Sequence, residues 1–247
     1  MGSSRFPGKP LKPICGVPMI GHVYKRVALS NSVDEVYVAT CDQEIKDYIE
    51  SIGGRAVMTA DTHERCSDRT AEAVLKLQRR LGKSFDIVLM VQGDEPMVTP
   101  KMIDSAISEI SKDKSLNIVN LMSRIKDEEE FNDPNEVKVV TDLKGFALYF
   151  SREPIPSVKK SSSNKVWYKQ VCIIPFRTPY LFKFNELSPT PLEDIESVDM
   201  MRVLEHGEKV KCVETKELIY SVDTFEDLQK VEKLMKNDPI FKNYSNG

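Results

Sequence analysis

Ile87-Val-Leu-Met-Val-Gln-Gly-Asp-Glu-Pro96 runs through five apolar residues and then stops in two acids and a proline. An unbroken apolar run of this length, closed by turn residues, reads as a buried strand. Similar β-rich runs stand on either side: Val36-Tyr-Val-Ala-Thr40 and Ala56-Val-Met-Thr59 before it, Ile118-Val-Asn-Leu-Met122 after it. Between them the spacing of apolar residues predicts helices over 18–30, 43–52, 70–81 and 100–110, with Val74, Leu77 and Leu81 on one face of the third. Strands that alternate with helices build βαβ units, so the expected fold is α/β, a mostly parallel sheet flanked by helices. In open sheets of that kind ligands bind just beyond the carboxyl ends of the strands. Asp94 falls at such a place, and Gly93 beside it lets a ligand approach closely. Taken by itself, Asp94 is more simply a surface aspartate that steadies its turn.

From Glu136 the pattern changes. Val137-Lys-Val-Val140, Phe146-Ala-Leu-Tyr-Phe150 and Val171-Cys-Ile-Ile174 are further strands, and Lys159-Lys-Ser-Ser-Ser-Asn-Lys165 between them reads as an exposed, mobile loop. Helices are predicted over 192–204 and 224–235, the second with Leu228, Val231 and Leu234 at helical spacing; the tail over 236–247 reads as frayed. There is no internal repeat and no linker long enough to separate independent domains.

A chain of 247 residues with 40% hydrophobic content can bury a real core. A formal net charge of −3 offers nucleic acid no general attraction, so an anionic substrate has to be met by local positive charge. The five cysteines are scattered without a CxxC pair, which suggests neither a zinc site nor a disulfide framework and fits a reducing cytoplasm. No apolar run is long enough to span a membrane, and the N-terminus carries no secretory pattern. The expectation is a cytoplasmic protein with neither nucleic-acid binding nor membrane insertion.

The local positive charge lies at the start. Met1-Gly-Ser-Ser-Arg-Phe-Pro-Gly-Lys9 combines two cations, two hydroxyls and two glycines before any apolar segment begins. Glycines let backbone amides approach phosphate oxygens, Arg5 offers a planar donor fork, and Lys9 a compact charge. The GxxxxGK[ST] spacing of the common phosphate loop is absent. A solvated basic terminus reads equally well from this stretch alone.

Ser3-Ser-Arg-Phe-Pro-Gly-Lys-Pro-Leu11 resembles the signature loop of the nucleotidyltransferases that activate sugar acids with CTP, and most closely the 3-deoxy-manno-octulosonate (Kdo) cytidylyltransferase family. Further blocks similar to that family follow in its order: Val91-Gln-Gly-Asp-Glu-Pro96, Phe131-Asn-Asp-Pro-Asn-Glu-Val-Lys-Val139, Ala147-Leu-Tyr-Phe-Ser-Arg152, Ser188-Pro-Thr-Pro-Leu-Glu193 and Val222-Asp-Thr-Phe-Glu-Asp-Leu228. The likeness runs nearly end to end. It implies one Rossmann-like nucleotidyltransferase domain over 1–247, with a smaller β-rich part at about 131–185 that closes the sugar pocket and contributes to a homodimer. It also implies a buried central strand ahead of the phosphate loop, so an apolar strand is expected upstream of Met1.

The resemblance gives the acids and cations roles. Asp94 and Asp223 become ligands of Mg²⁺, and Arg5 and Lys9 neutralise the departing pyrophosphate. Ser3, Arg5, Lys9, Ser67, Asp68, Arg69 and Gln92 are implied nucleotide contacts, the Ser67–Arg69 set through its likeness to the family's HxxGTDRxxEA loop. Cys66-Ser67 stands where that loop has Gly-Thr. Local reasoning gives some of these residues plainer tasks as well: Asp223 as the N-cap of the last long helix with Glu226 completing a capping box, Ser67 or Asp68 as the cap of the helix predicted over 70–81, and His63 as a structural loop residue. Arg152, Gln170 and Asp199 are implied sugar-acid contacts, but Gln170-Val-Cys-Ile-Ile-Pro-Phe-Arg177 and Asp199-Met200 depart from the family's usual His-Leu-Gly-Ile-Tyr-Gly-Tyr-Arg and Glu-Gln. The departures leave open a related acid such as an amino-substituted octulosonate or a nonulosonate. A nucleotidyltransferase using UTP or a sugar phosphate, and a silent nucleotide-binding homologue, are the rival readings.

Overall fold

The computed structural model describes residues 6–160 and 166–245. Ser3, Arg5 and the 161–165 part of the polar loop lie outside the described residues. By its contacts the chain forms two compact units. One takes the residues up to Lys83, Val91–Asp104 and those from Leu218 onward; the other takes Ser84–Met90 and Ser105–Glu217.

In the first unit the chain enters through a short antiparallel pair, β1 (Pro13–Ile14) and β2 (Val17–Pro18), and continues into α1 (Met19–Val27). β3 (Val38–Thr40), α2 (Gln43–Ser51) and β4 (Ala56–Met58) form a βαβ unit with β3 and β4 parallel in register, as the alternation predicts. Ile20 of α1 packs with Ile45, Ile49 and Ala56 in one cluster, and Ile14 and Met19 pack with Val222, Leu228, Val231 and Met235 in another. At Gly21 the two helices come so close that an added Cβ would lie 2.2 Å from the Tyr48 hydroxyl, so any larger residue there has to displace the Tyr48 ring. α3 (Cys66–Leu81) starts earlier than predicted. It buries Val74 and Leu77, but Leu81 is 40% exposed because the helix ends at Gly82 in the left-handed conformation. The unit is completed by α9 (Phe225–Met235) and α10 (Pro239–Lys242). On α9 the buried residue of the last turn is Met235, not the predicted Leu234.

The expectation of a frayed tail is overturned. Arg26 of α1 is fully buried; its Nη1 donates to the carboxylate of Asp238 and its Nε to the Val98 carbonyl at 2.6 Å. His22, also fully buried, bonds the Ile14 carbonyl through Nε2 at 2.8 Å and the Tyr244 hydroxyl through Nδ1 at 2.7 Å. The carbonyl can only accept, so Nε2 carries the proton and Nδ1 accepts from Tyr244. The tail lacks an apolar run, and polar anchors of this kind leave no periodic trace.

These contacts fix a pH dependence. Burial, helped by the charges of Arg26 and Lys25 on the same helix, lowers the His22 pKa below its usual value despite the bonds to the Ile14 and Val17 backbone. The unfolded chain therefore takes up the proton first, and stability is lost as pH falls below about 6.5, with a limiting slope of about 1.4 kcal/mol per pH unit. Melting temperature measured from about pH 7.5 to about pH 5.5 should fall more steeply for the wild type than for His22→Gln. Parallel curves for the two proteins rule this assignment out.

In the second unit β5 (Ile87–Val91), which belongs to it up to Met90, pairs with β10 (Ile173–Arg177). α4 (Pro100–Lys112) precedes β6 (Val119–Arg124), and α5 (Glu128–Asn132) precedes the hairpin of β7 (Lys138–Thr141) and β8 (Ala147–Ser151). With β9 (Tyr168–Val171) and β11 (Lys211–Thr215) these form a five-stranded sheet in the order β11-β6-β9-β7-β8. β6 and β11 are parallel, whereas β9 runs antiparallel to both β6 and β7. The chain is thus α/β with mixed pairing; β3–β4 and β6–β11 are parallel pairs. Among the described residues β3 pairs only with β4 and β5 only with β10, so each keeps one edge unpaired.

Two predicted elements are divided here. The single run at Val171–Ile174 is two strands that part at Cys172, each with its own partners. The helix expected over 192–204 is α7 (Pro191–Glu196) and α8 (Asp199–Glu205), which follow α6 (Thr178–Glu186); Ser197, at φ 53°, turns the chain between them. Phe131 and Trp167 stack at 4.2 Å with 12° between their planes, packed with Ile125.

Candidate active site

Three of the residues singled out in the sequence meet in the first unit. Lys9 Nζ lies 3.0 Å from Asp94 Oδ2 and 3.2 Å from Asp223 Oδ1. Each arrives by a different local device. Phe6-Pro-Gly-Lys9 closes a turn in which the Lys9 amide donates to the Phe6 carbonyl at 3.1 Å. Proline at the second position and Gly8 at φ 70°, ψ 13° at the third are what a type II turn requires. Phe6 also packs edge-on against Phe225 of α9, with ring centres 6.4 Å apart. Asp94 stands just past the end of β5, and its backbone carbonyl accepts from the Val222 amide at 2.9 Å.

Asp223 is held by a cap that the sequence reading misplaces by one residue. The N-cap of α9 is Thr224, whose capping box closes on Asp227 rather than Glu226. Asp227 Oδ2 takes the Thr224 amide at 2.9 Å and the Asp223 amide at 3.1 Å. Thr224 Oγ1 in turn accepts from the Asp227 amide at 3.1 Å, so the cap closes without Asp223, whose carboxylate turns to Lys9. Burial works against the Lys9 ammonium, but Asp94 and then Asp223 outweigh it and raise its pKa, so the lysine is charged across the physiological range. An ammonium and two carboxylates thus meet on one point, a donor set of the kind that suits cations and, through Lys9, anionic oxygens.

The Ser67–Arg69 set lies in the first turn of α3, which Cys66 opens, with Arg65 as N-cap and no side-chain cap. Neither Ser67 nor Asp68 is the cap, because the helix has already begun. Arg69 braces the preceding loop, donating to Thr59 Oγ1 at 2.6 Å and to the Ala60 carbonyl at 3.1 Å. Glu72 completes the brace. It accepts from Lys76, from the Ala60 amide and from His63, and the bond to Lys76 leads the effects that pull its pKa to about 2. His63 therefore has the structural loop role. Gln92 belongs to the same segment as Asp94, and its carbonyl takes the Glu95 amide at 3.4 Å.

The implied sugar contacts all fall in the second unit. Arg152 donates through Nε to the Glu196 carbonyl at 2.8 Å and through Nη1 to the Pro134 carbonyl at 2.9 Å, which fixes the plane of its guanidinium. Gln170 Nε2 donates to Asn120 Oδ1 at 2.7 Å, and Asn120, fully buried, is itself anchored on the carbonyls of Leu121 and Val171. Asp199 opens α8. Met200 beside it is fully buried.

Sequence reasoning missed several charged residues that organise these segments. Glu95 and Glu196 are buried carboxylates beside the implied contacts, and Glu196 accepts from Ser151 and from the Arg152 amide. Lys138, fully buried, donates to the carbonyls of Asp133, Glu136 and Arg152, and burial lowers its pKa. The only signal for Lys138 was a lysine set between valines in a predicted strand.

Comparison with known proteins identifies the family. The cytidylyltransferase family profile matches residues 1–210. A 3-deoxy-manno-octulosonate cytidylyltransferase from Geotalea uraniireducens (strain Rf4) is 43% identical over 244 residues, covering 95% of each chain. One from Thermodesulfovibrio yellowstonii is 43% identical over 242 residues, covering 95% of this chain and 94% of its own. Among solved structures, a CMP:2-keto-3-deoxy-manno-octonic acid synthetase complexed with CTP superposes with a TM-score of 0.85 at 35% identity, covering 95% of this chain and 94% of that one. A putative glucose-1-phosphate thymidylyltransferase from Bacillus anthracis, at 16% identity and a TM-score of 0.64 over 95% of this chain and 90% of its own, shares the fold. With the profile match, the relatives and the full-length structural likeness in agreement, the chain belongs to the 3-deoxy-manno-octulosonate cytidylyltransferase family.

Proposed function

We propose that the protein transfers a cytidylyl group from CTP to the anomeric hydroxyl of a 2-keto sugar acid, 3-deoxy-manno-octulosonate or a close variant, and releases pyrophosphate. The observation that carries this reading is the meeting of Asp94 and Asp223 on the Lys9 ammonium, from segments far apart in the chain. The anomeric oxygen bonds to the α-phosphorus, the bond from that phosphorus to the oxygen of the β-phosphate breaks, and the hydroxyl proton passes to solvent. No side-chain nucleophile takes part.

Among the described residues no cluster of three or more His, Cys, Asp or Glu could hold a metal. Two carboxylates nonetheless fit Mg²⁺, which takes one or two and completes its shell with water and substrate phosphates. Asp94 and Asp223 are the residues that would hold it. When bound, it supplies Lewis-acid chemistry that lowers the pKa of the sugar hydroxyl and offsets phosphate charge. Lys9 neutralises charge as pyrophosphate departs, with Arg5 in the same role. Arg152 keeps further donors for the carboxylate of the sugar acid, and the Asn120–Gln170 pair presents a fixed amide. Ser67, Asp68, Arg69 and Gln92 serve the nucleotide. Exposed Leu143 and Leu148 suit a homodimer, and the five free thiols suit the cytoplasm. No helix among the described residues is long and apolar enough to cross a membrane.

Pyrophosphate release from CTP across a panel of sugar acids tests the reading. Release with Kdo or a near relative, and CMP-sugar in the mixture, is the expected result; release only with UTP or a sugar phosphate, or with no acid at all, rejects it. Lys9→Ala should slow the CTP-dependent step by about 2–4 kcal/mol, the usual worth of one contact to developing phosphate charge. A change confined to the KM for the sugar removes Lys9 from that role.

A further inference from the structure

The two carboxylates of the proposed metal site sit on irregular backbone. Neither the segment after β5 nor the stretch from Leu218 to Asp223 belongs to a helix or strand, so no ladder sets one against the other. Lys9 bridges the two carboxylates through their side chains, and the segments that carry them are tied by a pair of bonds at consecutive residues. The Val222 amide donates to the Asp94 carbonyl at 2.9 Å, and the Ser221 hydroxyl donates to Glu95 Oε1 at 2.8 Å. Glu95 is 4% exposed. Burying a carboxylate is costly unless it is bonded, and one bond of this one goes to the segment that carries Asp223. Asp227 meanwhile pins the Asp223 and Thr224 amides from the helix side.

Resting on the proposed cytidylyl transfer, we infer that Glu95 is a positioning residue: through Ser221 it sets the spacing of Asp94 and Asp223 for a divalent cation. Lys9 ties only the side chains, and the Val222 amide by itself gives the two backbone segments a single pivot about which they can turn. The Glu95–Ser221 bond adds a second point of attachment and removes that freedom. The carboxylates then meet the metal already spaced, and its binding energy is not spent in drawing them together.

The test is Mn²⁺ binding to the purified chain in the presence of CTP, followed by the electron paramagnetic resonance of the free ion, beside the half-saturating Mg²⁺ and kcat of the reaction. Glu95→Ala should weaken Mn²⁺ binding by about tenfold or more and raise the half-saturating Mg²⁺ in proportion, with a much smaller change in kcat at saturating metal. Glu95→Gln keeps an oxygen that accepts from Ser221 and should restore binding to within about twofold of the wild type. Ser221→Ala should shift binding in the same direction as Glu95→Ala and decides the matter if that variant does not fold. Unchanged Mn²⁺ affinity in Glu95→Ala or Ser221→Ala, or a Glu95→Gln as weak as the alanine variant, overturns the inference. Asp94→Asn, measured alongside, separates the two ideas: if it too binds Mn²⁺ normally, the metal assignment itself has failed.

Discussion

Asp94→Asn and Asp223→Asn should each lose CMP-sugar formation by on the order of 10³-fold or more, while the fold and melting temperature stay near those of the wild type. Asparagine keeps the size of the side chain and an oxygen for the Lys9 ammonium, so the local bonds at 3.0 and 3.2 Å can persist. What disappears is one negative charge from a pair. A metal held by two carboxylates and otherwise by water and phosphate has little to spare, and several kcal/mol of transition-state stabilisation go with it. The fold has no such stake, because the Asp223 backbone is secured by Asp227 and the Asp94 carbonyl by Val222. Turnover, Mn²⁺ binding and melting curves on the same preparations make the check. Near-normal turnover of either variant at ordinary Mg²⁺ would falsify the assignment.

Arg26→Met should cost about 3–5 kcal/mol of stability, the usual price of removing one partner from a buried ion pair. The guanidinium is wholly enclosed, and it answers the Asp238 carboxylate together with the carbonyls of Val98 and Met97. Methionine fills much of the volume but satisfies none of these acceptors, and the carboxylate is left unpaired. For a chain of this size the melting temperature should fall by on the order of 10 °C. Asp238→Asn added to Arg26→Met should recover part of the loss, since the stranded charge is gone. A fall of less than about 1 kcal/mol in the single variant means that the tail is not held through this pair.

The strand at Ile87–Val91 was legible to the residue because an apolar run and an acidic stop are both local signals. The βαβ unit was legible for the same reason, and Asp94 followed from the position of that stop. Lys9 could be singled out as the cation of a candidate loop, but its pairing with two carboxylates could not be read, since that depends on a residue near the far end of the chain. Asp223 was found by resemblance while its helix cap was misplaced, because Asp223 and Thr224 are both good capping residues and only the backbone chooses between them. The break at Ser197 and the docking of the tail through His22 and Arg26 were hidden for a further reason. One is a single backbone dihedral, and the other is made of buried polar groups that hydrophobic periodicity counts as exposed.

The stacking of Trp167 on Phe131 places the chain's one tryptophan inside the second unit, 8% exposed. Excited near its red edge, the protein emits from that ring alone, and the stack makes the emission sensitive to the packing around it. Tryptophan fluorescence is therefore a dedicated optical reporter of one half of the molecule, while circular dichroism averages over all the helices. Overlaid melting curves from the two signals would show the halves unfolding as one cooperative body. Curves that separate would give each half its own midpoint and locate the damage done by any substitution, without a label being attached.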